Sequence, residues 1–224
     1  MKMATIDPRH LLEQEIEDLR IITAGLSDTD LTKPTSCAGW RVADLTTHLR
    51  LGMEGILQGL VSATENPVDR DAISYWSDWP PRGPAGFSEV RWLWAQSASY
   101  ANAGGLRSHF EDSAGAAQSA SAHAPNGPIS FQSHVMLIDD FLSMWTTEFA
   151  VHHFDLIYDL EDRPPPSEEV VRFLVGTLET LTETTKPQGW DDHSFIRRAT
   201  GREALTTDDL QLLGQHKHRF PALG

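Results

Sequence analysis

Apolar residues recur along this chain at helical spacing, with almost none of the alternation that marks strands. Leu11, Leu12, Ile16, Leu19 and Ile22 form the first stripe. Asp7-Pro8 opens it as an N-cap followed by proline at the first helical position, and Gly25 closes it. A polar connection, Ser27 to Pro34, leads to a second helix from about Val42 to about Ser62. Asp44 falls in its first turn, where a carboxylate suits the positive end of the helix dipole. The pattern predicts a third helix from Ser88 to about Phe110 and a fourth from about Phe131 to Leu160. Pro164-Pro-Pro166 then stops the chain, and Ser167 caps a fifth helix carrying Val170, Val171, Leu174, Val175, Leu178 and Leu181. Thr207 to Leu213 reads as a short capped helix. Residues 64–88, broken by Trp76, Trp79 and several Pro and Gly, read as a long loop of the kind that forms lids. Residues 113–128, rich in Ala, Ser, Gly and Pro, read as a mobile surface loop. The expected fold is an all-α four-helix bundle over residues 1–163, with 164–224 as a C-terminal helical extension packed on the same domain.

Composition narrows the function classes. The 224 residues are 40% hydrophobic, enough for a sizeable core. No apolar run approaches the roughly 20 residues of a membrane span, and no signal-like segment is present, so a cytoplasmic protein without a membrane partner is expected. The single cysteine, Cys37, fits a reducing compartment and reads by default as a buried structural thiol. A net charge of −14 argues against a nucleic-acid partner.

Two features of the helices hold chemistry. Leu45, His48, Gly52, Gly55 and Gly59 share one face of the second helix. Glycine inside a helix costs about 1 kcal/mol relative to alanine. Three of them imply either close packing of another helix, the commoner reason, or a face that borders a cleft. In the fourth helix, Ile138, Phe141, Trp145, Glu148, His152 and Leu156 fall on one face, so Glu148 and His152 interrupt an inward stripe one turn apart. A carboxylate is rarely buried without a partner. A metal ion would satisfy both groups, as would a plain Glu–His hydrogen bond, and the spacing leaves both readings open.

Two segments carry a family resemblance. Cys37-Ala-Gly-Trp-Arg-Val-Ala-Asp-Leu-Thr-Thr-His48-Leu and Glu148-Phe-Ala-Val-His152-His-Phe-Asp155-Leu resemble the mycothiol-dependent maleylpyruvate isomerase family. That family belongs to the DinB-like superfamily of metal-binding four-helix bundles. A Gly-Arg turn at Gly201-Arg202 is a weaker third match. One departure is Arg41, where relatives often carry a capping Thr or Ser.

The resemblance implies a divalent metal held by His48, Glu148 and His152, with zinc favoured and nickel compatible with the same donors. Two imidazoles and one carboxylate leave a coordination position for water or a thiolate. Asp155 and Asp44 are candidates to support the ligands, and His153 points about 100° away from His152. The implied activity is that of an enzyme using a small thiol, mycothiol, either to transfer it to an electrophile or to isomerise a substrate such as maleylpyruvate. The alternative is a non-catalytic metal-binding sensor or small-ligand binder. Gly52, Gly55 and Gly59 are the expected cleft wall, with Trp76 and Trp79 as a lid. Arg82, Arg197 and Arg202 are the candidates for holding an anionic substrate. A homodimer is compatible with the sequence, which does not specify an oligomeric state.

Overall fold

Helix α1, Pro8–Ala24, starts where Asp7 accepts the Arg9 backbone N–H at 3.0 Å. Helix α2 spans Val42–Leu60. The structure, a computed structural model, describes residues 7–77 and 84–223, with side chains of 77–89 outside the description. Trp79 and Arg82 therefore lie outside the described residues. The chain divides into two compact units, Met1–Ser167 and Glu168–Gly224.

In the first unit a short helix α3, Ser74–Ser77, and helix α4, Pro84–Ser97, precede α5, Ala103–His123. A two-stranded hairpin follows, β1 Pro128–Phe131 and β2 His134–Leu137, and α6 runs over Ile138–Leu156. Helices α1, α2, α5 and α6 form the bundle, and α4 lies against α2. Leu12, Ile16, Leu19, Leu45, Leu49, Phe110, Phe141 and Phe149 are fully or nearly fully buried between them. At about 25 cal/mol per Å², such burial is the main force assembling the bundle.

The third bundle helix is α5, not a helix over 88–110. Asn102, with extended backbone, caps α5 by accepting the Gly105 N–H at 3.0 Å, while Asp28 accepts that of Ala103 at 2.6 Å. The segment before that break forms α4 instead. The supposed loop from 113 is helical as far as His123. Its alanines are strong helix formers, and Ala114 and Ala117 are buried where their small size permits close approach.

The fourth predicted helix begins seven residues late, because the chain from Pro128 to Leu137 pairs as an antiparallel hairpin (Phe131 opposite His134, Ile129 opposite Met136). Gln132 and Ser133 turn it with φ of 47° and 68°. Neither is the Asn-Gly or Asp-Gly pair that signals such a turn in a sequence. Residues 62–77 are laced to this hairpin. Ser130 N–H donates to the Ser62 carbonyl at 2.9 Å, Val135 N–H to Asp69 at 2.7 Å, and the Tyr75 hydroxyl to Gln132 at 2.7 Å. No helix among the described residues is long and apolar enough to cross a membrane.

The second unit holds α7 Glu168–Thr182, α8 Asp192–Ala199, α9 Thr207–Leu213 and a terminal 3-10 turn. Thr206 caps α9 by accepting the Asp209 N–H at 3.2 Å. Within this unit Arg198 lies over the Trp190 ring at 4.4 Å, and Phe195 and Phe220 pack edge to face.

Candidate metal centre

His48 projects from α2, and Glu148 and His152 from successive turns of α6. Nε2 of His48 lies 3.0 Å from Oε1 of Glu148, and Nε2 of His152 lies 3.3 Å from the same oxygen. All three donor atoms fall within 4.8 Å of one another, as do those of a second group, Cys37, His152 and Asp155. Tetrahedral bonds of about 2.0–2.1 Å place neighbouring ligand atoms roughly 3.3 Å apart, so the two separations from Glu148 Oε1 already suit a divalent ion. The side chains of His48, Glu148 and His152 keep 32%, 23% and 12% of their surface, so the site is open on the His48 side.

Electrostatics bind the three together even as a bare polypeptide. Burial would raise the Glu148 carboxyl, but His152 and His48 overcome it and hold the group below the usual carboxylate range. Burial likewise works against a charge on His152, yet Glu148, with help from Asp155 and Cys37, raises its pKa well above the ordinary histidine value.

Asp155 is fully buried and faces His152, with Oδ2 at 2.9 Å from Nδ1. A carboxylate there keeps the proton on Nδ1 and leaves Nε2 to meet a metal. Asp44 is elsewhere. It accepts the Arg41 backbone N–H at 2.9 Å, the Arg41 guanidinium at 3.1 and 3.2 Å, and the Ser97 hydroxyl. Arg41 has no acceptor, so only this reciprocal half of a capping box forms. Asp44 thus secures the start of α2 and has no hydrogen bond to His48.

The glycine face of α2 is not a cleft. A Cβ on Gly52 would stand 2.7 Å from Phe149 and 2.9 Å from Trp145, and one on Gly55 2.8 Å from Trp145. The Phe141 ring covers Gly59. All three glycines are buried beneath the aromatic side of α6, the close-packing alternative. Trp76 is buried edge-on to Tyr75, their ring centroids 5.1 Å apart, in the segment tied to the hairpin, rather than spread over an open face. Arg197 pairs with Glu203 at 2.9 Å, and Arg202 donates to the carbonyls of Thr200 and Leu223 within its own unit.

Sequence reasoning passed over three neighbours of the site. The Cys37 thiol lies 3.2 Å from Asp155 Oδ2 and 3.7 Å from His152 Nδ1, a base far away in sequence and adjacent in space. Ser36 donates to Asp155 Oδ1 at 2.5 Å. Trp40, partly exposed, stacks on His152 at 6.3 Å and meets His48 edge-on at 5.3 Å. The available signal was the position of all three in the short turn leading to the His48 helix. His153 faces the opposite way, buried, with Nδ1 at 2.9 Å from Glu15 and Nε2 at 3.1 Å from the Pro164 carbonyl.

The sequence profile of the mycothiol maleylpyruvate isomerase N-terminal domain matches residues 12–157. The chain belongs to that family. The match spans nearly all of α1 through α6 and includes His48, Glu148 and His152. The fold is similar to the crystal structure of the mycothiol-dependent maleylpyruvate isomerase, with a TM-score of 0.59 at 15% identity over 88% of each chain. The crystal structure of a histidine-to-alanine mutant of that isomerase aligns with a TM-score of 0.60 at 14% identity, again over 88% of each chain. At such identities the likeness establishes the DinB-like fold. No curated protein matches the chain.

Proposed function

We propose that this member of the maleylpyruvate isomerase family is a divalent-metal enzyme, zinc being the preferred ion, that activates mycothiol for attack on a small electrophile. The observation that carries the reading is the convergence of His48, Glu148 and His152 on one half-open point. Bound there, the ion supplies a Lewis acid that lowers the pKa of a thiol and favours thiolate at neutral pH.

The chain's own groups do the rest. Glu148 offsets part of the cation's charge. Asp155 holds the His152 ring in one orientation, and Trp40 walls the two imidazoles. With a cis-olefinic acid such as maleylpyruvate, the thiolate forms a C–S bond to an alkene carbon, and the electron pair moves onto the conjugated carbonyl. Rotation about the resulting single bond and expulsion of the same thiolate give the trans isomer and restore the thiol. With a substrate that carries a leaving group, the same first bond gives a thioether and releases that group.

The test is incubation of the metal-loaded protein with mycothiol and maleylpyruvate, with and without a panel of alkylating electrophiles. Isomerised or thioether product, formed faster than by thiol alone and abolished in His48→Ala, is the expected result. Saturable thiol binding without product overturns the enzymatic reading and leaves a metal-dependent binder.

A further inference from the structure

We infer that Ser36 and Cys37 are positioning residues for the ligand His152, acting through Asp155; the metal part of this inference rests on the proposed function above. Asp155 is fully buried, and its oxygens meet side-chain groups from two directions. Oδ2 accepts the Nδ1–H of His152 at 2.9 Å and the S–H of Cys37 at 3.2 Å, and Oδ1 accepts the Ser36 hydroxyl at 2.5 Å. The Ser36 backbone N–H also donates to the Asp155 carbonyl at 3.3 Å.

A carboxylate held by one donor can swing about its terminal torsion, which is broad and roughly two-fold. Donors on both oxygens fix its plane, and with it the imidazole it orients. The clamp also crosses between elements. Ser36 and Cys37 belong to the turn before α2, which brings His48, whereas Asp155 lies in the last turn of α6, which brings Glu148 and His152. One buried carboxylate therefore sets the ring orientation of a ligand and ties together the two segments that supply the site.

Two other readings of this cluster fit less well. A nucleophilic cysteine triad needs thiol and carboxylate on opposite nitrogens of the histidine. Here both lie on the Nδ1 side. A second metal between Cys37, His152 and Asp155 would need Nδ1 stripped of the proton that Asp155 accepts.

A thermodynamic cycle tests the inference. Zinc affinity is measured by chelator competition for the parent, Ser36→Ala, Cys37→Ala, Cys37→Ser and Asp155→Asn, and for Ser36→Ala and Cys37→Ala in the Asp155→Asn background. Asp155→Asn weakens binding by about 10–100-fold, as for other groups that orient metal ligands. Ser36→Ala and Cys37→Ala weaken it by several-fold to about 10-fold alone and add nothing once Asp155 is Asn. Cys37→Ser, which keeps a donor, restores most of the affinity. Parent-like affinity in both alanine variants, or full additivity with Asp155→Asn, overturns the inference. A Cys37→Ala chain that does not fold leaves Ser36→Ala to complete the same cycle. A sulfur-to-metal band in the cobalt protein before any thiol is added also overturns it, since Cys37 would then be a ligand. Nitrogen-15 spectra of the chelated protein read the clamp without metal. A slowly exchanging Nδ1–H on His152 is expected, with faster exchange in Ser36→Ala and Cys37→Ala. If that pattern appears and the parent binds no zinc, the metal reading fails and the clamp stands. Parent-like exchange in both variants overturns the clamp.

Discussion

His48 and His152 present their imidazoles 4.8 Å apart and nearly perpendicular, and a nitrogen of each meets the same oxygen of Glu148. Two rings from different helices share one carboxylate oxygen, so Glu148 is the hub of the site. Glu148→Gln keeps the shape and removes the charge, and it should weaken zinc binding more than it disturbs the fold. His48→Ala and His152→Ala should each remove stoichiometric metal, measured by elemental analysis after dialysis. The chelated protein keeps Glu148 paired to both imidazoles, so its loss of stability should follow mass action: about 2.7 kcal/mol at a free zinc concentration 100 times the dissociation constant. For a chain of this size that is a melting shift of roughly 5–11 °C. Unchanged zinc content in the His48→Ala/His152→Ala double variant would overturn the ligand assignment.

Proton release should accompany binding. In the chelated site Glu148 raises the pKa of His152 well above the ordinary value, against the effect of burial, and so favours the protonated ring. An incoming cation must displace that proton. The apparent zinc affinity should therefore rise with pH through the neutral range, and calorimetry in buffers of different ionisation enthalpy should show about one proton released. The stability of the chelated form has two flanks. The Glu148 contribution is present above its unfolded value of 4.5 and is lost as pH falls toward its depressed folded value. The His152 contribution is complete below its unfolded value of 6.5 and is lost as pH rises through its elevated folded value. Chelated protein should be most stable between these flanks, and Glu148→Gln should flatten both, as read from urea midpoints across pH.

Packing, not catalysis, explains the glycines of α2. With Trp145 where a Gly55 Cβ would stand, Gly55→Ala should destabilise the fold by about 1–3 kcal/mol despite alanine's better helix propensity. A larger side chain such as Gly55→Leu should cost more and shift the urea midpoint strongly. The folded fraction of Gly55→Ala should still bind zinc with parent affinity, since the atoms nearest an added Cβ there belong to Trp145 and Phe131 and not to a ligand. Stability equal to the parent would mean that the aromatic side of α6 yields easily.

Much of this architecture was legible in the sequence, and the misses have physical causes. The α1 stripe, the α2 boundaries, the start of α7 and the placing of Glu148 and His152 on one face of α6 follow from local patterns that act over one or two turns, whereas His48 joins that pair only through the family resemblance. The α4–α5 break was hidden because it depends on Asn102 and on Asp28, a residue from a distant loop. The hairpin was hidden because a Gln132-Ser133 turn carries no glycine, and its short strands merge into the apolar run that opens α6. Cys37 shows no base nearby in sequence and Trp40 no sign of its role, because their partner on α6, His152, lies more than a hundred positions away. Spacing along the chain shows which side chains share a face of one helix; it does not show which turn another helix brings beside them.

The pair Glu15 and His153 is a separate, structural use of charge. Both side chains are fully buried, and Oε2 of Glu15 finds no partner among the described residues. The Pro164 carbonyl can only accept, so His153 Nε2 must donate to it at 3.1 Å. Nδ1 then shares one proton with Glu15, either as imidazolium and carboxylate or as neutral ring and carboxylic acid. Glu15→Ala should cost about 3–5 kcal/mol by leaving Nδ1 of His153 without its partner in the core. Glu15→Gln offers an amide N–H to a neutral Nδ1 and should cost far less. Urea denaturation of the two variants distinguishes them, and equal losses would show that charge rather than hydrogen bonding holds the pair.

Trp40 offers the last prediction, because among the described residues it is the aromatic side chain that meets both ligand imidazoles. It stacks within 16° of parallel on His152 and meets His48 at 64°, so its indole contacts the two rings without using a metal-binding nitrogen. Being partly exposed, it can also meet whatever enters from the open His48 side. Aromatic contacts of this kind contribute about 0.5–1.5 kcal/mol beyond their buried area. Trp40→Phe should keep most of the contact and leave zinc affinity within a few-fold of the parent. Trp40→Ala should remove the wall and let solvent reach His152. Zinc should then bind roughly 2- to 10-fold more weakly, which is that energy range expressed as a dissociation constant. Thiol affinity should fall further than zinc affinity if the indole also lines the thiol's path. The cobalt-substituted variant separates the two effects, since its absorption reports sulfur at the metal while the metal is kept saturating. If Trp40→Ala binds mycothiol as the parent does under those conditions, Trp40 serves only to hold the imidazoles and the thiol enters over another edge of the site.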